Sequence, residues 1–228
     1  MPADFIDAAT RHPLTLPNGE VYTNTVHLPA VIDHPNIQVG TGSYYNDFEP
    51  VSDYAARIAP YLHPGAPEKL IIGRYCQFAH GVRIVTSSAN HPLGWFTTYP
   101  FAVFDPAQMP FFADEFAKGE DTVIGHDVWL GHGAMVLPGT HIGNGVIAGA
   151  GAVLRGEIPA WSVVVGNPGR VIRRRFDDKT CALLDRLAWW DLPGDEIRRL
   201  MPVLTSADYN ALEEAVTELR GPVSEWEN

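Results

Sequence analysis

Nine histidines are the side chains of this 228-residue sequence best able to move a proton or hold a metal, and their surroundings separate them. His91 sits between Asn90 and Pro92. Small residues precede it (Ser87, Ser88, Ala89), and an aromatic, proline-rich run follows from Trp95 through Phe101 and Phe104 to Phe112. Neutral imidazole titrates near pH 7, so a histidine presented by such a loop is suited to take the proton of a hydroxyl as its oxygen attacks. His126, His132 and His141 fall on a regular pattern instead. They read either as outward-facing turn residues or as the three ligands of a metal-dependent hydratase, which needs converging rings and an open coordination position. His126 and His132 hold equivalent places in successive hexads, while His141 takes the last place of its own. No nearby acid serves as a general base there, so no metal is expected. A second chemistry is suggested by Arg155, Arg170, Arg173, Arg174 and Arg175, which fall in one short stretch. They read as a solvated charge run or as a local anion site for a phosphate-bearing ligand.

The elements that position these residues follow from a period of six. From Ile124 the first place of each block is Ile124, Leu130, Val136, Ile142, Ala148 and Leu154. Glycine follows at Gly125, Gly131, Gly143 and Gly149, and the fifth place is small or β-branched: Val128, Ala134, Thr140, Val146 and Ala152. An earlier run, Ile72 to Ile84, keeps the same spacing, and Val39 to Tyr44 echoes it. Helices repeat at three and four and simple strands at two, so this period implies short strands joined by tight turns, stacked as coils. Glycine supplies turn conformations with positive φ. The expected fold is mainly β: a parallel β-helix of hexapeptide repeats over residues 36–175, with an inserted loop at 85–122. Residues 1–35 read as irregular. Residues 176–228 read as a C-terminal helical extension, with helices around 182–190, 195–200 and 206–219.

Composition narrows the partners. Net charge is −11, which argues against nucleic acid or an anionic membrane as the main partner. No run approaches the roughly 20 apolar residues of a membrane span, and the N-terminus shows no secretion signal. Cys76 and Cys181 are far apart and suit a reducing, cytoplasmic compartment as small buried side chains.

Several segments taken in order, over about residues 36–205, resemble the xenobiotic acetyltransferases, which include the type B chloramphenicol and streptogramin A acetyltransferases. The segments are Ser43-Tyr44-Tyr45, Ile72-Gly73-Arg74-Tyr75-Cys76, Asn90-His91, Tyr99-Pro100-Phe101, Thr122 to Gly131, Gly166-Asn167-Pro168, Arg174-Arg175-Phe176 and Trp189-Trp190. The resemblance implies a left-handed β-helix, acetyl-CoA as co-substrate, a small-molecule hydroxyl acceptor, and a homotrimer with active sites between subunits. It implies His91 as general base, and Trp129, Gly131, Gly149, Arg155, Arg170 and Arg173 as cofactor-binding residues. Tyr44, Tyr61, Phe101 and Phe104 would form the acceptor pocket. Pro92 departs from the arginine that relatives often carry after the histidine, which changes the acceptor-side loop. Two other readings stand beside an antibiotic acceptor: a sugar or other endogenous hydroxyl, and a non-catalytic β-helical assembly protein.

Overall fold

A computed structural model of the chain describes residues 7–222 except 113, 115 and 116. The ends of the expected N-terminal segment and helical extension, and part of the expected loop, lie outside the described residues. The chain divides into two compact units, one over residues 8–173 and one whose described part is Asp7 with residues 174–222.

The first unit is the coil. Its strands are β1 (Thr25–His27), β2 (Ile37–Val39), β3 (Tyr44–Asn46), β4 (Leu70–Ile72), β5 (Gln77–Phe78), β6 (Arg83–Ile84), β7 (Thr122–Ile124), β8 (Trp129–Leu130), β9 (Met135–Val136), β10 (His141–Ile142), β11 (Ile147–Ala148), β12 (Val153–Leu154), β13 (Glu157–Ile158), β14 (Ser162–Val165) and β15 (Arg170–Arg174). Among the described residues they form three sheets, ordered β1-β3-β5-β8-β11-β14-β15, β13-β10-β7-β4-β2 and β12-β9-β6. Successive coils pair in parallel at identical places: Ile124 with Ile142, Leu130 with Ala148, Val136 with Leu154. Three hexads therefore make one turn.

The expected first-place residues, Ile124, Leu130, Val136, Ile142, Ala148 and Leu154, are all 2% exposed or less, and the fifth-place residues are fully buried. Each large aliphatic side chain so buried contributes roughly 1.5–3 kcal/mol relative to exposure.

Glycine has two separate tasks. The positive φ belongs to the fourth place (Gly133, Gly139, Gly145 and Gly151, each near +65°), where Tyr75, Asp127 and Trp161 take the same conformation without glycine. The second-place glycines serve close approach. A Cβ on Gly73 would stand 2.3 Å from the Gly125 carbonyl oxygen, and one on Gly131 would stand 2.7 Å from that of Ala148. Gly131, expected to make room for a cofactor, is thus required by the next coil. Gly149 is less tight, with Val165 Cγ1 3.0 Å away.

The N-terminal segment is more regular than its proline content suggests. Thr25–His27 is buried and pairs antiparallel with Tyr44–Asn46, covering a sheet edge that would otherwise stand open. A first excursion over 47–69, unmarked in the sequence pattern, carries a short helix, α1 (Tyr54–Ile58).

The second unit is helical: Asp178–Leu187, Gly194–Leu204 and Tyr209–Arg220. Asp177 and Asp208 cap two of these helices by accepting backbone N–H bonds from Thr180, and from Asn210 and Ala211. Leu183, Leu187, Leu200, Leu212, Ala215 and Val216 form its core. The first helix ends at Leu187 and the next begins at Gly194, directly after Pro193.

Gly73→Ala forces backbone against backbone and is expected to cost about 3 kcal/mol. Gly151→Ala meets open space and carries only the left-handed strain, about 1 kcal/mol. Equilibrium unfolding of the two variants checks the order, and equal losses would contradict the close-approach argument.

Candidate active site

His91 lies at the start of the long excursion, which leaves the coil after β6 and re-enters at β7. The register resumes as if nothing intervened: Ile72 pairs with Ile124 across it. Both roots of the loop are held by side chains. Glu68, fully buried, accepts bonds from the Ser88 N–H at 2.7 Å and the Ser88 hydroxyl at 3.1 Å. Ser87 Oγ accepts from the Glu120 N–H at 3.0 Å and donates to the Glu120 carbonyl at 3.2 Å. Asp121 accepts from the Lys69 N–H at 2.6 Å. A single 3-10 turn over Ser87–Ala89 then leads to Asn90 and His91.

The imidazole is oriented by its own loop. Nδ1 of His91 is 2.7 Å from the Thr98 carbonyl oxygen. A carbonyl only accepts, so Nδ1 carries the proton and Nε2 of the neutral ring keeps its lone pair. His91 lines a cavity of about 610 Å³ with Asn90, Leu93, Lys118, Pro138 and Arg155.

The other expected site residues fall elsewhere in the chain. Trp129, half exposed, and Tyr44 line a separate cavity of about 170 Å³ with Phe48, Gln77, His80 and His132. Burial raises the Tyr44 pKa. Arg170 and Arg173 are exposed on β15, at the edge of the sheet that also carries Trp129. The arginines of that stretch are therefore divided, with Arg155 lining the His91 cavity and Arg170 and Arg173 on the Trp129 sheet. Phe101 and Phe104 stand exposed on α2 (Phe101–Phe104), with ring centroids 4.7 and 5.4 Å from that of Tyr99. Tyr61 is exposed in the first excursion and lines neither cavity.

The three patterned histidines have local partners. His126 Nδ1 accepts the Arg74 N–H at 2.9 Å, His132 packs on His80 with centroids 5.1 Å apart, and His141 Nδ1 is 3.1 Å from Glu157. They do not converge.

Comparison with known proteins shows the family. Residues 121–156 match the family model described as bacterial transferase hexapeptide (six repeats). A chloramphenicol acetyltransferase of Agrobacterium fabrum is 34% identical over 192 residues, spanning 82% of this chain and 90% of that one. A virginiamycin A acetyltransferase of Staphylococcus aureus is also 34% identical over 192 residues, spanning 83% and 86%. The chain belongs to the hexapeptide-repeat xenobiotic acetyltransferase family. It is an acetyltransferase on a left-handed parallel β-helix. A solved maltose O-acetyltransferase of Clostridium difficile is 27% identical with a TM-score of 0.39, covering 62% of this chain and 60% of that one.

Within this family member, Glu68, Thr98 and Lys118 escaped the sequence reading. Glu68 lies in a Pro-Glu-Lys stretch that reads as a solvated turn. Thr98 acts through its carbonyl, which no side-chain pattern reveals. Behind the Trp129 cavity lies a further buried carboxylate, Asp47. Burial alone would raise its pKa, but bonds from Arg57, the Glu49 N–H, Tyr45 and His80 outweigh that and hold it far below the usual range. Glu68 is also lowered, with burial opposed by the Ser88 bonds.

A depressed folded-state pKa adds stability that is present above the unfolded value, near 4, and is lost as pH falls through the folded one. Asp47→Asn is therefore expected to lower Tm at pH 7, and the gap to wild type is expected to narrow on acidification below about pH 4. Thermal unfolding across pH 3–7 measures the gap; a constant gap would refute the role.

Proposed function

We propose that the chain moves the acetyl group of acetyl-CoA to a hydroxyl of a small amphipathic molecule, of the antibiotic kind represented by chloramphenicol or the streptogramin A compounds, with His91 as general base. The observation that carries this reading is the Nδ1–H bond to Thr98, which leaves Nε2 as a proton acceptor in a cavity of substrate size. Nε2 takes the acceptor's hydroxyl proton as the oxygen attacks the thioester carbonyl. The tetrahedral intermediate collapses to the acetyl ester, and the departing thiolate receives the proton from the imidazolium.

Arg155, in the same cavity, and Arg170 and Arg173, on the Trp129 sheet, would meet the phosphates of CoA. Gly131 and Gly149 would lie under the cofactor along that coil. Tyr44, Phe101 and Phe104 would contact the acceptor, and Tyr61 would do so from the first excursion. In one chain the His91 cavity and the Trp129 cavity share no lining residue. This favours a homotrimer in which the His91 loop of one protomer meets the Trp129 face of the next, covering the exposed aromatics of that loop. The relatives' names favour an antibiotic acceptor over a sugar, as does the aromatic content of the loop. A cytoplasmic location suits the two free, buried thiols. Among the described residues no helix is long and apolar enough to cross a membrane.

A thiol-release assay with acetyl-CoA across chloramphenicol, a streptogramin A compound and simple sugars tests the reading. His91→Ala is expected to lose about 10²–10⁴-fold in turnover while folding normally; unchanged turnover would remove His91 from the mechanism. Shared sites are tested separately by co-expressing His91→Ala and Trp129→Ala chains. Random assortment in a head-to-tail ring restores about a quarter of the sites, so activity well above either variant alone is expected, and no recovery would place each site within one protomer.

A further inference from the structure

The Trp129 cavity contains a second oriented histidine that the proposed transfer does not use. His80 is 19% exposed in its side chain, and its Nδ1 lies 2.6 Å from Oδ1 of Asp47, whose own side chain is 2% exposed. The carboxylate is fixed from its other side: Oδ2 accepts from Arg57 Nε at 2.8 Å and from the Tyr45 hydroxyl at 2.8 Å. An ionised carboxylate can only accept, so Nδ1 of His80 carries the proton. The Phe48 N–H, 3.3 Å from the same nitrogen, is the weaker contact. The ring packs against Phe48 and His132, with centroids 5.2 and 5.1 Å away. Its orientation is thus set by a buried anion at one edge and two neighbouring rings, an arrangement costly to maintain for a side chain with no partner to meet. The remaining polar atom, Nε2, has no hydrogen-bond partner among the described residues, and the ring lines the cavity that Trp129 and Tyr44 also line.

We propose that His80 is a specificity-determining residue, whose Nε2 accepts a hydrogen bond from a second hydroxyl of a ring-bearing acceptor seated against Tyr44 and Phe48. The proposal rests on the reading of the chain as an acetyltransferase of hydroxylated acceptors. The chemical class follows from the walls. Tyr44, Phe48, Trp129 and His132 offer ring faces for a flat apolar body, and Nε2, the nitrogen opposite the Asp47-bound Nδ1, offers a single acceptor for an O–H donor. A site built to bond a hydroxyl discriminates sharply against an analogue that lacks it, because its own polar atom is then left unpaired. The reacting hydroxyl would go to His91 of the neighbouring protomer, and the second would fix which hydroxyl is presented.

The experiment measures chloramphenicol affinity by calorimetry on the full chain without acetyl-CoA, for wild type, His80→Ala and His80→Gln, using chloramphenicol and its derivative methylated at the secondary hydroxyl. His80→Ala is expected to weaken chloramphenicol binding roughly tenfold. Methylation is expected to weaken wild-type binding to a similar degree and to leave His80→Ala binding unchanged. His80→Gln, which keeps an accepting oxygen and much of the volume, is expected to recover part of the affinity, and it carries the comparison if the alanine variant does not fold. Equal losses on methylation in wild type and variant, unchanged affinity in His80→Ala, or no binding to wild type would overturn the proposal. Binding without thiol release on adding acetyl-CoA would sink the transfer reading and leave the subsite result standing.

Discussion

The contact of one coil's backbone with the next is the constraint on which the rest of the molecule depends. The gaps at Gly73, Gly125, Gly131 and Gly143 are too small for a Cβ, so the coils sit at backbone distance there and each strand pairs with the strand one full turn away. Parallel pairing at a fixed register puts chemically equivalent places into columns. Gln77, Trp129, Ile147 and Val163 form one such column on the sheet that also carries Tyr44. A residue's position on the outside is therefore set by its place within six, and sequence distance hardly matters. This is how Tyr44, Gln77 and Trp129 come to line one cavity.

The same rigidity makes the long excursion tolerable. Closing a loop of this length costs little more than closing one of half the length, because the entropy grows only with the logarithm. What must be exact is the return, and the ties at the roots supply it. Glu68, from the preceding coil, holds Ser88 on the outgoing limb, while Ser87 and Asp121 hold the returning limb to the outgoing one and to Lys69. The backbone of Glu68 is itself held, since Asn36 Nδ2 donates to the Glu68 and Ala66 carbonyls at 2.9 Å. The loop can thus carry exposed aromatics such as Phe96 and Phe104 without disturbing the column of strands beneath it.

What was legible in the sequence was what repeats. Ile124, Leu130 and Val136 were assigned to the interior from spacing alone, and burial agrees. Helical character after residue 176 followed from caps and apolar spacing, with boundaries displaced by several residues. Two kinds of feature were not legible. Non-repeating pairings such as Thr25–His27 with Tyr44–Asn46 depend on an edge that exists only once the coil is built. Contacts that rest on one atom, such as the Thr98 carbonyl or the Glu68 carboxylate, leave no pattern. The placement of the arginines was not legible either: Arg155 follows β12, while Arg170 and Arg173 lie on β15, in a different sheet. The glycines were half understood. Positive φ belongs to the fourth place of the hexad, and the more prominent second-place glycines answer to the neighbouring coil.

The two oriented imidazoles differ in a way that matches different tasks. Asp47 gives His80 a fixed, ionised partner rooted in the coil, shared with Arg57 and Tyr45, so the ring is held whether or not a ligand is present. Thr98 gives His91 a neutral partner seven residues along the same loop. A neutral carbonyl fixes the tautomer of His91 without placing a formal charge beside the ring, as the general-base role proposed for it would require. Because the imidazole and its orienter travel on one segment, a displacement of the loop moves both together and preserves the tautomer while changing the distance to whatever occupies the cavity. The placement of the imidazole is thereby separated into two parts: the direction of its lone pair, set locally within the loop, and its reach, set by the ties of Glu68, Ser87 and Asp121 to the coil.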